Sequence, residues 1–164
     1  MWVVGDAEAL PFLDCSFDVY IARAAPHHFE NLARALREAI RVLRPGGRAI
    51  FVDCSPPPVV RDFLHGIELR RDPSHRRSYT LDEWRSALTG AGFLIRYARR
   101  RETAWHFPSW MATMDVEAEV AHELAARVER ARADARDTLR PRRVGGELWH
   151  QYWHALIRVE KPRS

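Results

Sequence analysis

Cysteine is scarce in this chain. Cys15 and Cys54 are the only two, too few for a disulfide framework, and they form no Cys-x-x-Cys pair of the redox or metal-binding kind. Lysine is scarcer still, with Lys161 alone among 26 basic residues. No run of about 18 apolar residues occurs, which excludes a membrane-spanning helix. No basic segment followed by an apolar stretch opens the chain, so no secretory signal is legible. These absences lead to the expectation of a cytoplasmic protein with free thiols, without a membrane partner. Glycine is thin as well, 8 in 164 residues, and where it is missing bears on function.

What is present is the balance of a folded domain. The length suits one domain with a buried core, and 46% apolar with 29% charged residues is an ordinary globular composition. A net charge of +4 raises the question of a nucleic-acid partner. Arginine is spread along the chain, dense only at Arg99-Arg100-Arg101 and Arg140-Pro141-Arg142-Arg143. Without a recognised module, that distribution speaks against nucleic-acid binding.

Trp2-Val3-Val4 is a short apolar run that hands over to Gly5-Asp6 and a turn, in the manner of a strand end. Residues 17–22 form a compact β-prone run. Apolar residues at Phe29, Leu32, Leu36, Ile40 and Leu43 have helical spacing, and Arg44-Pro45-Gly46-Gly47 stops that helix. Residues 48–53 read as a buried strand, and Ser55-Pro56-Pro57-Pro58 breaks the chain after it. Strand, helix, turn and strand make a βαβ unit, so its two strands should be parallel neighbours. Thr80-Leu81-Asp82-Glu83 is a capping box that starts a further helix, which ends at Gly90-Ala91-Gly92. A strand follows over 93–99, a mostly helical stretch over 109–139, and a last strand over 149–161. A single domain over 1–164 is expected, with 1–100 as its core, 101–148 as a helical substrate or lid region, and 149–161 as the final strand.

Gly5-Asp6-Ala7-Glu8-Ala9-Leu10-Pro11-Phe12, Ser16-Phe17-Asp18-Val19, His27-His28-Phe29 and Arg41-Val42-Leu43-Arg44-Pro45-Gly46-Gly47 follow one another in order. As a set they resemble the class I S-adenosylmethionine-dependent methyltransferases, in the small-molecule branch that includes the ubiquinone and menaquinone C-methyltransferases. The resemblance implies a Rossmann-like α/β fold, with a mostly parallel sheet, an antiparallel last strand and a helical insertion. It implies S-adenosylmethionine as cofactor and a small-molecule acceptor, with Asp6 and Ala7 at the adenine and Arg23 in the cofactor-binding set. A carboxylate at a strand's end suits an exocyclic amine, and ligands in such sheets sit outside the strands' carboxyl ends. Asp6 read by itself is equally a cap for the turn toward Leu10.

The same resemblance exposes a departure. The family's first strand runs into a glycine-rich loop and its second ends in an acid that binds ribose, and neither is in this sequence. About two strand–helix units are absent, on the order of 60 to 80 residues at roughly 30 or more each. The chain therefore reads as an N-terminally truncated methyltransferase that binds S-adenosylmethionine weakly. Unpaired sheet edges favour a homodimer, and the alternative to an enzyme is a non-catalytic remnant or self-associating module of the same fold.

Other candidates remain open in the sequence. His27 and His28 are catalytic candidates as base or polar contact, or ordinary packing at a helix start. Adjacent histidines point apart, and His150 and His154 fall in a strand, so no metal site is expected. Trp105, Phe107 and Trp110 are candidates for a substrate pocket under a lid, or for core. Cys15 and Cys54 have no neighbouring base and read as bystanders.

Overall fold

The computed structural model describes residues 2–163. Its first regular element is strand β1, Phe17–Arg23, followed by a short 3-10 turn at Pro26–His28. Helix α1, Leu32–Val42, buries Leu32, Ala35, Leu36, Ala39 and Val42, the stripe that helical spacing puts on one face. Asn31 caps it, its side chain accepting the Arg34 N–H at 3.0 Å. Strand β2, Leu43–Cys54, begins where the helix ends, so the residues expected as a tight turn are absorbed into the strand. Gly46 sits there at φ +77°, and a Cβ on Gly47 would meet the Arg44 carbonyl at 2.8 Å, so this entry into β2 needs glycine.

Helix α2, Pro58–Arg71, is an element that the run of prolines hid. Pro58 occupies its first turn, where a missing N–H costs nothing. Helix α3, Leu81–Gly90, has the expected capping box: Thr80 Oγ1 accepts the Glu83 N–H, and Glu83 Oε2 accepts the Thr80 N–H at 2.8 Å. Strand β3, Leu94–His106, runs well past the expected end. The helical stretch then comes in three pieces, α4 at Phe107–Ala112, α5 at Ala118–Glu129 and α6 at Ala133–Leu139. Short β4, Arg142–Val144, and long β5, Glu147–Glu160, complete the chain. No helix among the described residues is long and apolar enough to cross a membrane.

The sheet has the order β1-β2-β5-β3, with β4 paired to β5. β1 and β2 are parallel around α1, as a βαβ unit requires. β5 enters antiparallel between β2 and β3, with Ala49 and Ile95 both opposite Val159. Only β1 with β2 pairs in parallel, while the pairings of β5 with β2, β3 and β4 are antiparallel. Inserting β5 between β2 and β3 makes the sheet mostly antiparallel by its pairings, not mostly parallel as expected, whereas the antiparallel last strand is as expected. The expected strand at Trp2-Val3-Val4 does not form: Trp2 and Val4 are fully exposed, and the nearest ladder contact is an isolated bridge, Asp6 to Ala9. A strand must pair its backbone groups, and these residues have no neighbouring strand. β1 is left as a sheet edge, with Val19 and Ile21 exposed.

The core follows from the alternation of β5. Ala155, Ile157 and Val159 join Leu36, Phe51, Trp84 and Leu88 in the main cluster, under α1 and α3. Leu148 and Tyr152 lie among Phe107, Trp110, Leu124 and Val128, under α4 and α5. The capping box controls the start of the helix that carries Trp84. Thr80→Ala is expected to lower unfolding free energy by about 1 kcal/mol, read as an earlier urea midpoint at unchanged slope.

Candidate functional site

The carboxyl ends of β1 and β2 lie side by side, and the chain must turn sharply after each. Ala24 does so at φ +48°, its N–H donating to the Val52 carbonyl at 2.9 Å. The following 3-10 turn carries His27 and His28 back over the end of β2. There the Asp53 carboxylate, buried to 2% exposure, accepts the His27 backbone N–H at 2.7 Å and the Cys54 N–H at 2.9 Å. The same carboxylate meets His27 Nδ1 at 2.5 Å. That contact puts the imidazole proton on Nδ1 and leaves Nε2 free. Burial opposes protonation of His27, but the hydrogen bond and charge of Asp53, with Glu68 and Asp72 behind it, raise its pKa. His75 stacks on His27 at 5.3 Å between centroids and is held neutral, burial pushing its pKa down to about 3.

His28 is seated differently. Its Nδ1 faces the Ser74 carbonyl oxygen at 3.1 Å, and its Nε2 stands 3.9 Å from Asp72 Oδ2. Asp72 follows the last turn of α2. Its Oδ1 accepts the Ser74 N–H at 2.9 Å and the Ser74 hydroxyl at 2.6 Å. Burial works to raise the Asp72 pKa, but these donors and the nearby His28 and Arg71 bring it below the usual carboxylate range.

His27, His28, Asp53, Asp72 and Ser74 line a cavity of about 560 Å³, whose aromatic wall comes from β3, β5 and α4. Trp105 stacks on Tyr152 with centroids 4.2 Å apart and planes 10° from parallel, and Trp110 meets Tyr152 edge-on at 5.3 Å. Behind the wall, the Tyr152 hydroxyl donates to Glu68 Oε1 at 2.5 Å, and Arg71 donates to Glu68 Oε2 at 2.9 Å. Burial raises the Glu68 pKa, with Arg71 and Tyr152 pulling the other way. Arg71 also lies over the Trp110 ring, 4.9 Å from its centroid. Burial likewise pushes the Tyr152 hydroxyl well up, so it stays a donor.

Of the residues singled out from the sequence, Arg23, His27, His28, Trp105 and Trp110 meet at this cavity. Phe107 does not line it; at 2% exposure it packs edge-on against Trp110, as core. Asp6 and Ala7 stand apart from the cavity walls, and Asp6 Oδ1 accepts the Glu8 N–H at 2.8 Å, capping its own turn. His150 and His154 do not come together, since four strand residues span roughly 13 Å; His150 is buried, with burial lowering its pKa to about 4, and His154 faces the cavity. Sequence reasoning missed Asp53, Glu68, Arg71, Asp72 and Tyr152. Val60, Leu64 and Ile67 at helical spacing behind a first-turn proline were the available signal for α2, which carries Glu68 and Arg71.

A family model described as a methyltransferase domain matches residues 1–51. The solved structure of a candidate methyltransferase from Bacillus halodurans superposes with a TM-score of 0.91 at 30% identity, covering 98% of this chain and 77% of that one. YcgJ of Bacillus subtilis, an uncharacterized methyltransferase, is 34% identical over 136 residues, 82% of this chain and 54% of YcgJ. This chain belongs to the class I S-adenosylmethionine-dependent methyltransferases. The ubiquinone/menaquinone biosynthesis C-methyltransferase UbiE of Dinoroseobacter shibae is 51% identical over 57 residues, 35% of this methyltransferase chain and 23% of UbiE. The chain spans about half the length of the first curated relatives it matches, at 54%.

The described residues fit the family's cofactor only in part. The connections after β1 and β2, Ala24-Ala25 and Ser55-Pro56-Pro57, contain no glycine. They cannot give the close backbone approach of a glycine-rich strand-to-helix loop. The positive-φ glycines Gly46, Gly92, Gly145 and Gly146 lie at the start of β2, after α3 and between β4 and β5. Among the described residues none follows a strand and opens a helix, so the methionine and ribose have no cradle of that kind.

The Glu68 and Arg71 side chains are only 5% and 11% exposed, so their pairing bears on stability. Arg71→Met leaves a buried carboxylate without its cation and is expected to cost about 3–5 kcal/mol. Adding Glu68→Gln removes the stranded charge and should recover part of that loss. Urea unfolding of the two single variants and the double variant measures both.

Proposed function

We propose that this methyltransferase domain receives a small-molecule acceptor in the cavity between the histidine turn and the aromatic wall, and that the acceptor carries a flat apolar ring and a hydroxyl. S-adenosylmethionine supplies the methyl group in this family, as a sulfonium electrophile. The observation that carries the reading is one cavity with two unlike surfaces, the Trp105–Tyr152 stack and the polar corner of His27, His28 and Asp72. An aromatic ring gains by offset stacking on such a wall, and a hydroxyl gains by meeting imidazole nitrogen and carboxylate oxygen. The name of UbiE, a quinone-pathway C-methyltransferase, points to acceptors of the same chemistry. For the cofactor, Asp6 and Ala7 are the proposed contacts to adenine, Asp6 Oδ2 having no partner among the described residues, and Arg23 is the cofactor-side residue of the cavity. Transfer of this kind is governed by positioning and exclusion of water, which the buried aromatic wall supports.

Trp105 and Trp110 make the cavity observable. Titrating the 164-residue protein with hydroxylated aromatics and quinols is expected to change tryptophan fluorescence saturably, and Trp105→Ala should weaken the best binder by roughly tenfold, about 1.4 kcal/mol. Binding should be accompanied by labelled-methyl transfer wherever S-adenosylmethionine also binds. A panel without one saturable ligand would remove the acceptor reading.

A second reading rests on the β1 edge, where Val19 and Ile21 are 50% and 64% exposed beside unpaired backbone groups. Such an edge is a template for pairing with another copy, the self-associating module. Sedimentation of the wild type as a dimer and of Ile21→Lys as a monomer is the expected result; a wild-type monomer would dismiss it.

A further inference from the structure

We propose that His27, His28 and Asp72 form a binding site for one divalent first-row transition-metal cation in the wall of the cavity. One ligand atom from each of the three residues lies within 4.8 Å of the other two. Neighbouring histidines on a strand would point to opposite faces, but the 3-10 turn at Pro26–His28 brings these two rings to 3.9 Å between centroids. A cation about 2.1 Å from each ligand asks for closer separations still, so the half-buried His28 side chain must shift toward Asp72 on binding.

The positions around the three ligands support the assignment more strongly than their proximity. A metal-bound histidine characteristically gives its other ring N–H to a carboxylate or backbone carbonyl, which fixes the tautomer. His27 Nδ1 is on Asp53 Oδ1, and His28 Nδ1 is on the Ser74 carbonyl. Asp72 Oδ1 is likewise occupied, by the amide and hydroxyl of Ser74. The atoms left over are His27 Nε2, His28 Nε2 and Asp72 Oδ2, one from each residue. The last two stand 3.9 Å apart, too far for a hydrogen bond and suited to a bridging cation. Arg71, the nearest cation on the same helix end, is committed to Glu68 and Trp110, and His75 is neutral.

Two imidazoles and one carboxylate suit zinc, iron(II), cobalt(II) or manganese(II), not the all-oxygen sites of magnesium and calcium or the thiolate sites of copper(I). Three protein ligands leave open positions on the metal, available to an oxygen of whatever occupies the cavity. The other cluster of this type, His27, Asp53 and Cys54, is unsuitable. Both Asp53 oxygens are already taken, and burial pushes the Cys54 thiol well above its ordinary pKa. The site does not depend on which acceptor is methylated, or on whether this chain is active.

Cobalt(II) is the probe, because its visible bands report nitrogen and oxygen ligands directly. Chelator-treated 164-residue protein titrated with cobalt(II) should bind one equivalent with visible absorption, and zinc(II) should displace it. His28→Ala and Asp72→Asn should each weaken cobalt(II) at least tenfold, while His122→Ala, on an exposed position of α5, leaves it unchanged. His28 is 34% exposed and the Asp72 change is isosteric, so circular dichroism should show both variants folded. No visible bands up to millimolar cobalt(II), or bands that survive both substitutions, would overturn the site.

Discussion

A strand hydrogen-bonded along both edges cannot slide, because a slip of one residue would invert every side chain against both neighbours. β5 is in that position, bound to β2 over Arg48–Cys54 and to β3 over Leu94–His106. Its register therefore decides what faces what. Tyr152, His154 and Leu156 are delivered to the cavity, and Trp153, Ala155, Ile157 and Val159 are delivered to the packed side. The rest of the molecule adapts to this beam: α1 and α3 close over one end and α4 with α5 over the other.

Three buried acids surround the cavity, and each is held by a different device. Asp53 is satisfied by two backbone amides and an imidazole, Asp72 by a single serine used twice, and Glu68 by an arginine and a tyrosyl hydroxyl. Burial of a carboxylate is costly unless such donors converge on it. Only Asp72 is served entirely from its own turn; Asp53 draws on His27 from the connection after β1, and the partners of Glu68 sit a turn away on α2 and across the molecule on β5. Against its burial, the serine and the nearby His28 and Arg71 hold Asp72 below the usual carboxylate range. The long-range set ties the aromatic wall to α2, so that Trp110, Arg71, Glu68 and Tyr152 act as one rigid unit.

Much of the fold was legible because it rests on local signals. The βαβ unit announced itself in apolar spacing, the capping box in four residues, and the last strand in alternation. α2 was hidden by its entry through Ser55-Pro56-Pro57-Pro58, where proline read as a break and served instead as a first-turn residue. The strand at Trp2-Val3-Val4 was expected from side chains alone, but a strand exists only with a partner for its backbone. Within the site, Arg23, His27 and His28 were found because they follow a legible strand, and Trp105 and Trp110 because they form an aromatic cluster ahead of the helical stretch. Asp53, Asp72 and Glu68 were not, because their burial, and for Asp53 and Glu68 the contacts with His27 and Tyr152, come only from tertiary structure. Phe107 shared the aromatic signature of its neighbours and turned inward.

The alternation of β5 has a consequence for how such a domain changes over time. Positions 148, 150, 152, 154 and 156 form one comb of side chains, turned toward the insertion and the cavity. Positions 155, 157 and 159 form another, turned toward the main core, and Trp153 on the same side packs with Val60, Leu64 and Leu139. Replacing teeth on the first comb alters the shape offered to a guest molecule, and replacing teeth on the second alters the endurance of the fold. A lineage can thus drift between guests along a single strand while its structural inheritance passes down the alternate residues untouched.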